Sequence, residues 1–277
     1  MQQEKRVDNR QGMAHPPTFV TITFSHYCER VRWALDRSNV EYEEVSPCPG
    51  FAEKYWRDVL PGHGSSVPVL LFKDDLGAWS HGLGGSNHIL DWLAQDDHGA
   101  WLYPNKESRY LSRYFDETLG RYSRAWFMNF FLYSEGAAER FVGPSDASAF
   151  FKFFSRVAWA PIRTKVAEIN RSREWEEAQY RVDLAFEEVE QLLSDGRPYL
   201  AGDSFSAADL TFCSLSTPVV SPEYTRSYQP RIPSPAPLVA ERLERWANSR
   251  AGEYIHQIYQ MHRGDSPILH RMESRAA

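Results

Sequence analysis

Cysteine is scarce in this chain: 277 residues hold three, Cys28, Cys48 and Cys213. No two of them form a CxxC pair, so a disulfide-stapled scaffold is excluded. No stretch of 18 apolar residues is present, so a membrane-spanning helix is not expected. The first seventeen residues, MQQEKRVDNRQGMAHPP, are polar and lack the apolar core of a secretory leader. A reducing, cytoplasmic setting is the expectation that follows. Basic charge is also short, with 31 Lys+Arg against 37 Asp+Glu and a net charge of −6. Without a basic block, nucleic acid is not an expected partner. The histidines show no metal-ligand spacing, so no metal is expected. Gly82-Leu83-Gly84-Gly85 lacks the Lys-Ser/Thr that would complete a phosphate loop.

Aromatic residues are plentiful instead, at 14% with nine Trp, within 42% hydrophobic residues overall. Such a chain has ample material for a core and for an apolar pocket. Its length suggests about two domains. Residues 1–17 read as a flexible tail. Phe19 to Phe24 reads as a strand, Cys28 to Ser38 as a helix with Val31, Ala34 and Leu35 on one face, and Val40 to Val45 as a second strand. This βαβ opening implies a parallel pair. Residues 67–72 read as a third strand, 74–75 as a hairpin turn and 77–80 as a short fourth strand, with Ser86 capping a following helix. From Ser108 onward the periodicity is helical. Ser206 and Asp209 form a capping box, with Phe205 placed to staple onto Leu210. A last helix is expected from Leu238 through Trp246 and on to Met261. The expected division is a tail over 1–17, an α/β domain over 18–96, a linker over 97–107 and a helical domain over 108–277.

The chemistry concentrates at the first βα turn. Backbone N–H groups of a first helical turn point outward and, with the helix dipole, favour an anion such as a thiolate. Ser25 precedes that turn and Cys28 lies within it, which gives a CxxC spacing with oxygen in place of the first sulfur. On spacing alone a capping serine with a buried cysteine outweighs the functional reading, because serine caps are common. Val67-Pro68, at the head of a strand beside this turn, is a candidate cis bond.

These stretches resemble the cytosolic glutathione transferase superfamily. The likeness is carried by residues 23–32 (TFSHYCERVR), Ser66-Val67-Pro68-Val69-Leu70, residues 86–93 (SNHILDWL) and residues 199–209 (YLAGDSFSAAD). It runs in register from residue 18 to about 262. The resemblance implies a thioredoxin-like domain followed by an all-helical domain, with glutathione as co-substrate in the groove between them and a homodimer as the assembly. It assigns to Ser25 the hydrogen bond to the glutathione sulfur. Val67 and Pro68 are assigned to the cysteinyl part, and Ser86 and Asn87 to the γ-glutamyl end. His26, Tyr27, Tyr122 and Trp126 are assigned to the pocket for an apolar electrophile. Gly85 stands where the family often has Glu or Gln, and residues 80–84 look like an insertion before the helix at Ser86. The function implied is conjugation of glutathione to an electrophile. A non-catalytic scaffold of the same fold is the alternative, and thiol redox chemistry through Cys28 is a third.

Overall fold

The computed structural model describes residues 15–47, 52–64, 66–142, 153, 156–226, 231–264 and 270–272. The expected helical aromatics Phe150, Phe151 and Phe154 lie outside the described residues, as does Cys48. The N-terminal layer runs β1 (Thr18–Val20), α1 (His26–Arg37), β2 (Tyr42–Val45), a 3-10 turn (Ala52–Tyr55), β3 (Val69–Lys73), β4 (Trp79–Gly84) and α2 (Ser86–Leu93). β1 pairs parallel with β2 and antiparallel with β3, and β3 pairs antiparallel with β4. This is a thioredoxin-like sheet with α1 as the crossover.

Two readings of this layer are corrected. Residues 80–84 are not an insertion: they are the body of β4, with Leu83 opposite Leu70 and Gly84 opposite Val69. The alternation there is weak because residues 79–81 face solvent, and so the fourth strand, expected over 77–80, reads as ending at Ser80. A fifth strand, β5 (His270–Met272), lies parallel to β2 and makes the order β4-β3-β1-β2-β5. The chain end therefore covers the otherwise open edge of β2 instead of extending the helical part. Pairing satisfies the row of backbone donors and acceptors that an edge strand leaves bare.

The rest is helical. Asp97–Leu102 is a 3-10 helix, followed by α3 (Lys106–Phe115), a π turn (Asp116–Gly120), α4 (Arg121–Phe131), α5 (Ala137–Val142), α6 (Trp159–Ile169), α7 (Trp175–Leu192), α8 (Ala207–Leu215), α9 (Pro237–Ala247) and α10 (Arg250–His262). The expected linker over 97–107 is thus ordered into the 3-10 helix and the start of α3. The expected last helix is two helices, because Ser249 caps a new one by accepting from the Gly252 N–H.

α8 is buried on every face, and its Ser206/Asp209 capping box is present. Asp209 also accepts from the Leu200 N–H at 2.7 Å and the Tyr254 hydroxyl at 2.5 Å, which satisfies its buried carboxylate. α1 packs against α8 and carries Trp33, whose ring meets Phe205 and Tyr259 at 5.6 and 4.6 Å between centroids. Each fully buried ring or Leu of this core contributes roughly 1.5–3 kcal/mol, so the two layers share one continuous apolar interior.

Candidate functional site

Three chain segments meet at one end of the sheet. The first is the β1–α1 turn, where Ser25 adopts an extended conformation (φ −78°, ψ 118°) and its Oγ accepts from the Cys28 N–H at 3.3 Å. Ser25 is therefore the N-cap of α1. It is half-buried, whereas Cys28 is fully buried. Burial pushes the Cys28 thiol up to about 11, with the Ser25 contact opposing it, so the sulfur stays protonated near neutral pH. That environment does not make a reactive thiolate.

The second segment is the head of β3. Val67-Pro68 is a cis peptide. The β1–β3 register pairs Val20 with Val69, so the end of β1, which leads into the Ser25 turn, lies at the same end of the sheet as the head of β3. The third segment is the start of α2. The Gly85 N–H donates to the Pro68 carbonyl at 2.9 Å, which holds this start against the head of β3. Gly85 has φ +90°, a conformation that L side chains rarely adopt, and this accounts for glycine there. The N-cap of α2 is Gly85 and not Ser86, which is the first helical residue.

Ser86 and Asn87 are engaged by a residue that the sequence reading passed over. Arg30, on α1 and fully buried, donates through Nη1 to Ser86 Oγ (3.1 Å) and Asp116 Oδ1 (2.7 Å). Through Nη2 it donates to Asn87 Oδ1 (3.0 Å) and Ser112 Oγ (2.9 Å). Asn87 Nδ2 in turn donates to Asp116 Oδ2 at 2.9 Å. The Asn87 amide is thus committed at both ends to a clamp between α1, α2 and the π turn. The Ser86 hydroxyl accepts from Arg30 and keeps its own proton to donate. A signal for this clamp was present: Glu29, Arg30, Arg32 and Asp36 crowd a short helix whose apolar face alone was read. A helix buried all round must pair such charges.

His26 and Tyr27, assigned to the electrophile pocket, instead join the two layers. His26 is 2% exposed, and its Nε2–H donates to the Gly120 carbonyl at 2.7 Å, since a carbonyl can only accept. Burial and the Arg124 charge lower its pKa to about 3. Tyr27 lies against Gly120 so closely that a Cβ there would sit 2.3 Å from Oη. Trp126 is not a pocket wall: it is 1% exposed and packs against Trp246 and Phe130 at 4.7 and 4.9 Å, because α4 turns this face to α7 and α9. Tyr122 remains half-buried, with Arg121 and Arg181 over its ring at 4.7 and 5.7 Å. An apolar wall not anticipated from the sequence starts at Phe24, the residue before Ser25. Phe24 meets Phe141 of α5 at 5.2 Å, and Phe141 meets Trp159 of α6 at 5.6 Å. Among the described residues no group of three or more His, Cys, Asp or Glu could hold a metal ion, and no helix is long and apolar enough to cross a membrane.

Residues 19–101 match the family model of the glutathione S-transferase N-terminal domain. The chain carries a domain of the glutathione S-transferase superfamily. Solved structures agree on the fold over most of the chain. A glutathione S-transferase from Pseudomonas fluorescens superposes with a TM-score of 0.54 at 17% identity, covering 92% of this chain and 100% of that one. The glutathione S-transferase of Ceriporiopsis subvermispora, in complex with glutathione, gives 0.52 at 15% identity, covering 89% and 96%. FzlA from C. crescentus gives 0.51 at 15% identity, covering 92% of each chain. No curated protein sequence matches the chain.

Proposed function

We propose that this protein is a glutathione transferase, which binds glutathione across Ser25, the Val67 backbone and Ser86 and transfers its thiolate to an electrophilic, largely apolar acceptor. The observation that carries the reading is the meeting of Ser25 at the N-terminus of α1 with Val67-Pro68 and the start of α2 at one end of the sheet. Ser25 Oγ accepts from the Cys28 N–H at the N-terminus of α1, and its hydroxyl is the group that would donate to a glutathione sulfur. A thiol with a pKa near ~8.5 is a few per cent ionised at neutral pH, and lowering it by about two units requires roughly 2.7 kcal/mol. One hydrogen bond to a charged group supplies about 1.5–3 kcal/mol, and the α1 dipole adds up to ~1–2. No general base is required. With an aryl halide the thiol proton passes to water, a carbon–sulfur bond forms and the halide leaves with the electron pair of the broken bond. The Phe24/Phe141/Trp159 wall gives the acceptor an apolar surface that excludes water. A homodimer in the cytoplasm completes the reading.

A second reading is a glutathione-transferase-like scaffold without turnover. Its support is Gly85, which offers no side chain to the γ-glutamyl group, together with the committed Asn87 amide. Titration calorimetry with glutathione separates the two. Saturable binding below millimolar concentration supports the transferase, and no heat at several millimolar leaves the scaffold.

A further inference from the structure

Where α4 meets the β1–α1 turn, it brings charge without an acidic counterpart among the described residues. Arg124 lies with its guanidinium 5.9 Å from the Tyr27 ring centre, and its charge lowers the pKa of neighbouring His26. Its Nε is buried and has no hydrogen-bond partner. Among the described residues no carboxylate pairs with Arg124, nor with Arg121 one turn before it. The carboxylate next to this region is Asp116, which also acts on Tyr27 but is committed to Arg30 and Asn87. In a chain of net charge −6 with surplus carboxylates, a half-buried arginine with a buried, unpartnered Nε is left without a counter-charge where the two layers meet. An anionic ligand supplies one. The apolar surface built by Phe24, Phe141 and Trp159 stands on the same turn that holds Ser25.

We infer that the acceptor substrate is an amphipathic anion: an apolar or aromatic electrophile bearing a carboxylate that pairs with Arg124. The guanidinium fork offers two parallel N–H donors to a carboxylate, a geometry that an ammonium lacks. Arg121, exposed and one turn before Arg124, adds long-range attraction for an anion. The inference uses the transferase reading to place the acceptor beside Ser25, but the two fail separately, because an unreactive probe reports recognition without turnover.

The test measures quenching of tryptophan fluorescence by 3,5-dinitrobenzoate and by the neutral 1,3-dinitrobenzene, in saturating glutathione. The wild type is expected to bind the carboxylate roughly tenfold or more tightly than the neutral ring, in line with one partly desolvated ion pair. Arg124→Gln should bring the two within about threefold of each other, whereas Arg124→Lys, which keeps the charge, should retain part of the preference. Equal affinities in the wild type, a preference that survives Arg124→Gln, or no binding of either probe at millimolar concentration would each overturn the inference. A conjugation assay with an aryl halide, run in parallel, reports on the transferase reading alone.

Discussion

The fully buried Arg30 guanidinium and the half-buried Asp116 carboxylate form an ion pair, 2.7 Å apart, that ties α1 of the sheet layer to the π turn of the helical layer. Arg30 is 0% exposed and reaches Ser86 and Asn87 from the same guanidinium. The pair therefore holds the start of α2 in place while it joins the layers.

Removing one partner leaves a buried charge unmatched. Asp116→Asn is expected to destabilise the protein by about 3–5 kcal/mol in urea denaturation, and to weaken glutathione binding because the Arg30 guanidinium that holds Ser86 loses its counter-charge. A loss below about 1 kcal/mol, typical of surface pairs, would show that the clamp is dispensable.

His26 makes the protein acid-labile. Its folded-state pKa of about 3 lies below the ordinary value of 6.5, so the unfolded chain takes up a proton that the folded chain refuses. Its contribution is complete above the ordinary value and falls as pH drops towards the folded one. Between pH 8 and pH 5 that is a loss of about 2 kcal/mol. Thermal melts of wild type and His26→Gln at the two pH values should show a smaller acid-induced drop in the variant. Equal drops would mean that other groups govern acid stability.

Gly120 is set by the approach of Tyr27. Gly120→Ala would place a methyl 2.3 Å from Tyr27 Oη and 3.0 Å from Leu215 Cδ1. The expected cost is about 1–3 kcal/mol. Tyr27→Phe in the same chain should recover part of it, which gives a measurable coupling in a double-mutant cycle. Simple additivity would contradict this contact.

Assembly follows from the family reading. Sedimentation at micromolar concentration should give about twice the monomer mass of 32.0 kDa. A mass equal to one chain would remove the homodimer.

The sequence made legible those features that local chemistry dictates. The βαβ opening, the Ser206/Asp209 capping box and the proline at the head of β3 follow from periodicity, hydrogen-bonding side chains and a fixed ring. Ser25 was legible as a cap for the same reason. For the Arg30 clamp the crowded charges of α1 signalled a need for partners but not which ones, because Ser86, Ser112 and Asp116 lie 56 to 86 residues away and only packing brings them together. His26 and Trp126 were misplaced for a related reason: a helical stripe of rings does not say which face turns to a groove and which to α7 and α9. β4 was read as ending at Ser80 because two glycines and an exposed histidine hide the alternation of residues 81–84. β5 was missed because its pairing with β2 spans most of the chain.

The central claim is that Ser25, acting on the glutathione sulfur, carries transfer and that Cys28 does not. The direct measurement is the rate of glutathione conjugation to a model aryl halide for wild type, Ser25→Ala and Cys28→Ser, each checked for folding by circular dichroism. Loss of about 1.5–3 kcal/mol of charge-assisted hydrogen bonding predicts a fall of roughly ten- to a hundredfold for Ser25→Ala, with Cys28→Ser close to wild type because its thiol is buried and protonated. The opposite pattern, with Cys28 essential and Ser25 dispensable, would contradict the account and establish thiol redox chemistry in its place.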